Sequence, residues 1–142
     1  MIMKANELRI GNWVYQDYVK ENVTVSGLYE SSDECWYNIH NGESRGPIQS
    51  FKPIPLTEEW LIKFGFEDDN GEIELQLGNY TGAYLWFNNV SKQLRLVSGD
   101  GKFLSHDKLK YVHQLQNLYF ALTGEELTIK QINHEKEKST TS

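Results

Sequence analysis

Two prolines one residue apart, Pro53 and Pro55, constrain this chain of 142 residues more than any other feature. Proline fixes φ and has no backbone N–H, so Lys52-Pro53-Ile54-Pro55-Leu56 cannot run through the middle of a sheet. The segment reads as an extended connector. It divides the sequence into a β half over residues 1–52 and a helix, meander and long helix over 53–129. A polar tail over 130–142, expected to fray, follows.

Before the prolines the pattern is that of short strands. Leu8 and Ile10 alternate with Arg9, and Gly11-Asn12 then interrupts with a bend or bulge before Trp13-Val14-Tyr15. Strands are expected over Asn22–Leu28, Trp36–His40 and Ile48–Phe51, with Asn41-Gly42 as a turn. Short strands at this spacing suggest a small curled sheet or barrel.

After the prolines, Thr57 is placed to cap a short helix carrying Glu58 and Glu59 in its first turn, with Trp60, Leu61 and Phe64 on one face and Gly65 at its end. Ile73, Leu75 and Leu77 alternate with Glu72, Glu74 and Gln76, which predicts a half-buried strand. Tyr84–Phe87, Gln93–Val97 and Lys102–Leu104 complete an antiparallel meander. A long amphipathic helix capped at Ser105 or Asp107 is expected to run to Leu122, stopped by Gly124. Its apolar stripe of Leu109, Val112, Leu115, Tyr119 and Leu122 should lie across that meander, and Leu127-Thr128-Ile129 reads as an added edge strand. The expected fold class is therefore α+β: an SH3-like small barrel, then a meander packed by one long C-terminal helix.

Charge and cysteine usage exclude several roles. The net charge of −6 and the scattered Lys and Arg disfavour DNA, RNA or anionic lipid as partner. Cys35 is the single cysteine, so no intrachain disulfide forms. No apolar run reaches the length of a membrane span, and the N-terminus turns polar at once, unlike a signal peptide. The sequons at Asn22, Asn79 and Asn89 then read as turn and strand residues. A cytoplasmic location in the host cell is expected.

Catalytic motifs fail on spacing. Gly99-Asp100-Gly101-Lys102 would need Gly where Leu96 stands and Ser or Thr where Phe103 stands to be a phosphate loop. Glu67–Glu72 resembles a calcium loop until Gly71 is set at the loop glycine, which puts Phe66 and Leu77 where carboxylates belong. His40, His106, His113 and His134 show no metal spacing with one another or with Cys35. Ser105-His106-Asp107 are adjacent, whereas a catalytic triad converges from distant positions. No enzyme activity, metal or cofactor is expected.

The positive signal is aromatic: 13% of the residues, with four Trp, eight Tyr and six Phe. A small sheet absorbs about half of these in its core. The rest either form rim or are left to bind. Trp13, Tyr15, Trp36, Tyr37 and Arg45 are the candidate ligand-binding residues, either stacking on a planar ligand or forming a protein-binding patch.

Three blocks, Lys4–Val14, Pro53–Leu61 and His113–Leu127, resemble a family of small uncharacterised proteins of bacteriophages and prophages. The resemblance spans residues 3–129 and brings no site residue with it. It implies a phage-encoded accessory protein acting by binding, with counter-defence against a host protein as the role expected. The alternatives are a sponge for a nucleotide-type signal held in an aromatic pocket, and a structural or virion-associated module. The partner is accordingly a host protein or a small nucleotide, and homo-oligomers are allowed. Separately, Leu8–Val14 is similar to the opening of SH3-like barrels.

Overall fold

A computed structural model describes residues 3, 7–28, 34–39, 42–77, 82–88, 90–91, 93–101, 103–105 (backbone) and 109–130. The chain forms two units. The first comprises Met1–Leu56 with Lys110–Glu126, and the second Thr57–Leu109 with Leu127–Ser142. Each is built on one five-stranded antiparallel sheet, so the class is α+β. Among the described residues no helix is long and apolar enough to cross a membrane.

The first sheet contains β1 (Trp13–Gln16), β2 (Glu21–Leu28), β3 (Glu34–Ile39), β4 (Gly42–Pro47) and β5 (Phe51–Lys52), in the order β4-β3-β2-β1-β5. Its two edge strands are consecutive in the chain, joined only by a 3-10 turn over Ile48–Ser50. Edges four strand spacings apart would be ~19 Å distant in a flat sheet, while three 3-10 residues span ~6 Å. The sheet must therefore curl. A bulge in β2 helps it bend: Val25 pairs with Tyr37 and Gly27 with Trp36, leaving Ser26 as the extra residue. The concave side buries Met3, Leu8, Val14, Val23, Val25, Cys35, Tyr37, Ile48 and Phe51.

Two sequence expectations change here. The strand placed at Ile48–Phe51 is a 3-10 turn followed by the two-residue β5. The true fourth strand, Gly-Glu-Ser-Arg-Gly-Pro, has only Gly46 buried and so shows no apolar alternation. The long helix, α2 (Val112–Thr123), which the apolar stripe lays across the meander, belongs to the first unit and packs with β1. It also starts later than expected. The Gln114 side chain accepts from the Lys110 and Tyr111 N–H groups at 2.8 and 3.1 Å, and Tyr111 bridges Pro55, so the chain is still extended there. Ser105 lies in a strand, and Asp107 falls outside the described residues. Gly124 ends α2 at φ +76. Of the expected stripe, Val112 and Leu115 are fully buried, but Leu122 is 45% exposed.

The way α2 docks explains the exchange of partner. β5 covers β1 only at Tyr15 and Gln16. Beyond that point the edge of β1 would be bare. The Gln116 carboxamide fills the gap: it accepts from Trp13 N–H at 2.8 Å and donates to the Gly11 carbonyl at 3.0 Å. It pairs with β1 as a peptide group of a sixth strand would. Asn117 extends the seam, donating to the Glu7 carbonyl at 3.1 Å and accepting from Asn12 Nδ2 at 3.0 Å and Arg9 Nη1 at 3.2 Å. Arg9 also pairs with Glu126 and lies over the Phe120 ring, 4.0 Å from its centroid.

The second unit holds α1 (Glu58–Lys63), β6 (Glu67–Asp69), β7 (Glu72–Gln76), β8 (Tyr84–Asn88), β9 (Gln93–Val97) and β10 (Phe103–Ser105), the strands ordered β10-β9-β8-β7-β6. The expected meander is present. Trp60, Leu61 and Phe64 are buried from α1, and Ile73, Leu85, Phe87, Leu94 and Val97 from the sheet. Residues 127–129 form no strand, although Leu127 is buried. Lys130 N–H instead donates to the Lys63 carbonyl at 2.7 Å.

Candidate aromatic binding face

Strand alternation decides where each candidate residue goes. In β1, Val14 and Gln16 enter the core, so Trp13 and Tyr15 face the other way and are half-buried. In β3, Cys35 and Tyr37 enter the core, so Trp36 and Asn38 face away from it. Cross-strand pairing puts these on one face: Trp13 opposite Thr24, Thr24 opposite Asn38, Tyr15 opposite Asn22, and Trp36 opposite Arg45. Four of the five residues singled out from the sequence thus share the convex face of the first sheet.

Tyr37 does not. It is 3% exposed and packs edge-on to Phe51, with centroids 5.4 Å apart. Its place in a strand of period two, one residue from Trp36, requires the opposite side. Tyr37 is a core residue, and its assignment to a ligand site is corrected.

The face has a defined local structure. The Trp36 ring lies over Gly27, where an added Cβ would stand 3.3 Å from Trp36 Cδ1. Arg45 reaches across the same ring, 5.4 Å from its centroid, and pairs with Glu34 at 3.6 Å. At the sheet's other side Lys52 pairs with Asp17 at 3.1 Å. Beside Trp13 is an open pocket of about 190 Å³, lined also by Glu21, Asn22, Thr24 and Asn38. Asn38 Nδ2 approaches Thr24 Oγ1 at 3.4 Å.

Trp13 and Trp36 stand two strands apart, ~10 Å at the usual strand spacing. On a convex surface their side chains diverge. They cannot close on the two faces of one planar ring, which needs a gap of ~7 Å, twice the contact distance of carbon atoms. The stripe they form suits an extended surface.

Elsewhere the reactive groups are subdued. Cys35 is fully buried, and burial pushes its thiol up to about 11, so it carries little thiolate. His113 is 2% exposed; burial holds its imidazole below the usual value, with the Glu7 carboxylate pulling the other way. Among the described residues its Nδ1 has no hydrogen-bond partner, and its ring stacks on Tyr111. Among the described residues no group of three His, Cys, Asp or Glu is placed to hold a metal ion. His106 and His40 fall outside the described residues. In the second unit Glu67 and Glu74 face each other across β6 and β7 beside a cleft of about 150 Å³.

The sequence reading passes over Gln116 and Asn117, and weighs His113 only as a metal ligand. No apolar pattern signals them, because they bind backbone or are buried as polar side chains. Comparisons with protein-family models, curated proteins and solved structures give no match.

Proposed function

We propose that this chain is a non-enzymatic binding protein that holds a protein partner against the convex face of its first sheet. The observation that carries the reading is the shared face itself: three half-buried rings, Trp13, Tyr15 and Trp36, with Arg45. Aromatic and Arg side chains dominate the energetics of protein interfaces. Buried on one side and open on the other, these rings lose little conformational entropy on binding. The resemblance to phage proteins makes a host protein in the host cytoplasm the partner, and interference with host defence the role.

An SH3-like architecture for the first unit is part of the same reading. The sheet order, the 3-10 turn before a short fifth strand, and the pairing of that strand with the first all support it. The nucleotide-sponge alternative draws less support. The pocket beside Trp13 is smaller than the ~300 Å³ of ordinary ligand sites, and Arg45 lies over another ring and pairs with Glu34.

Affinity capture from host lysate tests the proposal, using the wild-type chain, Trp36→Ser, Arg45→Glu, and Val90→Ser in the second unit as control. One host protein retained by wild type and Val90→Ser, and lost by the two face variants with unchanged circular dichroism, is the expected result. Equal retention by all four chains, or no protein and a co-purifying nucleotide, refutes it.

A further inference from the structure

The border of β1 that α2 completes can be completed equally well by the helix of a second copy. All five strands of the first sheet are made by Lys52, and α2 begins only at Val112. Between them the chain leaves the first unit at Leu56, builds Thr57–Leu109 of the second and returns at Lys110. Sheet and helix are thus joined by one covalent route, which starts at Pro53.

The prolines also decide where β5 stops. Tyr15 faces Lys52, so a continued β5 would set Pro53 against Val14 and Ile54 against Trp13. Pro53 has no N–H to donate. Ile54 bonds to the helix segment instead: its carbonyl accepts from Val112 N–H at 2.9 Å, and Leu56 N–H donates to the Lys110 carbonyl at 2.9 Å. These bonds tie Ile54–Leu56 to the start of α2, so that stretch travels with the helix. Pro53 is left as the hinge between the sheet and everything that follows.

The seam is indifferent to which chain supplies the helix. Gln116 binds the Trp13 N–H and the Gly11 carbonyl, Asn117 binds Glu7, Asn12 and Arg9, and Glu126 pairs with Arg9. Each contact has a residue of the sheet half on one side and a residue of α2 or its end on the other. The helix of a second copy would make the same set. Exchange of an identical element gives up only the advantage of intramolecular closure, and short hinges favour it. Crowding of copies during folding supplies the encounter, because the sheet precedes its helix in the chain.

We propose that, when folded at high concentration, this chain forms a dimer in which α2 of each copy completes the β1 border of the other, with Pro53 as hinge. The partner at this border is a second copy of the same chain, whatever binds the convex face.

The test refolds the full chain from urea over a range of concentrations and reads its mass by native mass spectrometry. The dimer share should rise with concentration during refolding and outlast dilution, since reversal requires both helices to undock. Two charge reversals then identify the contact. Arg9→Glu and Glu126→Arg each set like charges against each other, both in their own monomer and in their own dimer. In a mixed dimer one seam carries both reversals and regains an opposite-charge pair, and the other seam is wild type. Refolded together, the two variants should form mostly the mixed dimer, well above the statistical half. If Arg9→Glu does not fold alone, its recovery by Glu126→Arg is the same supporting result. A wild-type chain that stays monomeric at every concentration, or mixed dimers no more frequent than chance, overturns the inference.

Discussion

Replacing Gln116 with alanine strips two hydrogen bonds from the open edge of β1. The side chain is 1% exposed, accepts from Trp13 N–H at 2.8 Å and donates to the Gly11 carbonyl at 3.0 Å. Both backbone groups then lose their partner. A buried polar group left unpaired costs ~1–3 kcal/mol. Trp13 is only half-buried, so water reaches part of the gap and the lower half of that range applies to each. The sum is about 2–4 kcal/mol, against the ~5–15 kcal/mol that holds a domain together. With a urea slope of ~1–2 kcal/mol per M, the midpoint of the first unit falls by roughly 1–4 M. Hydrogen exchange at the Trp13 amide supplies the local readout and should accelerate in step. Gln116→Glu sharpens the argument. It keeps an acceptor for Trp13, loses the donor to Gly11 and buries a carboxylate, so its defect should shrink as acid protonates the new side chain. Loss below about 0.5 kcal/mol, or undiminished protection at Trp13, would falsify the claim that this amide stands in for a strand.

Phe51→Ala, at a fully buried ring against Tyr37, should cost ~3–5 kcal/mol by chemical denaturation. His113 makes stability pH-dependent. Its imidazole titrates lower folded than unfolded, so the unfolded chain binds the extra proton, and stability should decline as pH drops below about 6.5 toward the lowered folded value. In His113→Gln that part of the slope should vanish from urea titrations at each pH. The Cys35 thiol, raised by burial to about 11, should resist a thiol reagent at pH 8 until urea unfolds the first unit. Gly46→Ala places a Cβ 3.0 Å from Gln16 Nε2 and 3.3 Å from Ser50 Oγ, and should destabilise by ~1–3 kcal/mol in the same denaturation assay.

Local patterns carried most of the elements. Val-rich β2, the alternation at Ile73, the Thr57 cap and the Gly124 stop are short-range signals, and each has its counterpart in the structure. Long-range pairing was not legible. Apolar stripes say that a helix face is buried, not against which sheet, so the stripe alone points α2 at the nearer meander. Its true partner is chosen by Gln116 and Asn117, polar residues whose role depends on a strand edge some hundred residues upstream. β4 hid for a related reason: an exposed edge strand has no alternation to read. Aromatic composition points to strands whose rings share one face, but period two separates Trp36 from Tyr37, and only their burial shows which one faces the core.

The Gln116 seam also sets an order of events during synthesis. Translation at ~5–20 residues per second leaves β1 waiting roughly 5–20 s for the helix that completes its border. Throughout that interval Gly11–Trp13 offers unsatisfied main-chain donors and acceptors to any passing strand. Early yield of this protein in a cell therefore hangs on how quickly α2 emerges, and truncation before residue 116 should send the nascent first unit toward aggregates even though every strand of its sheet has already been made.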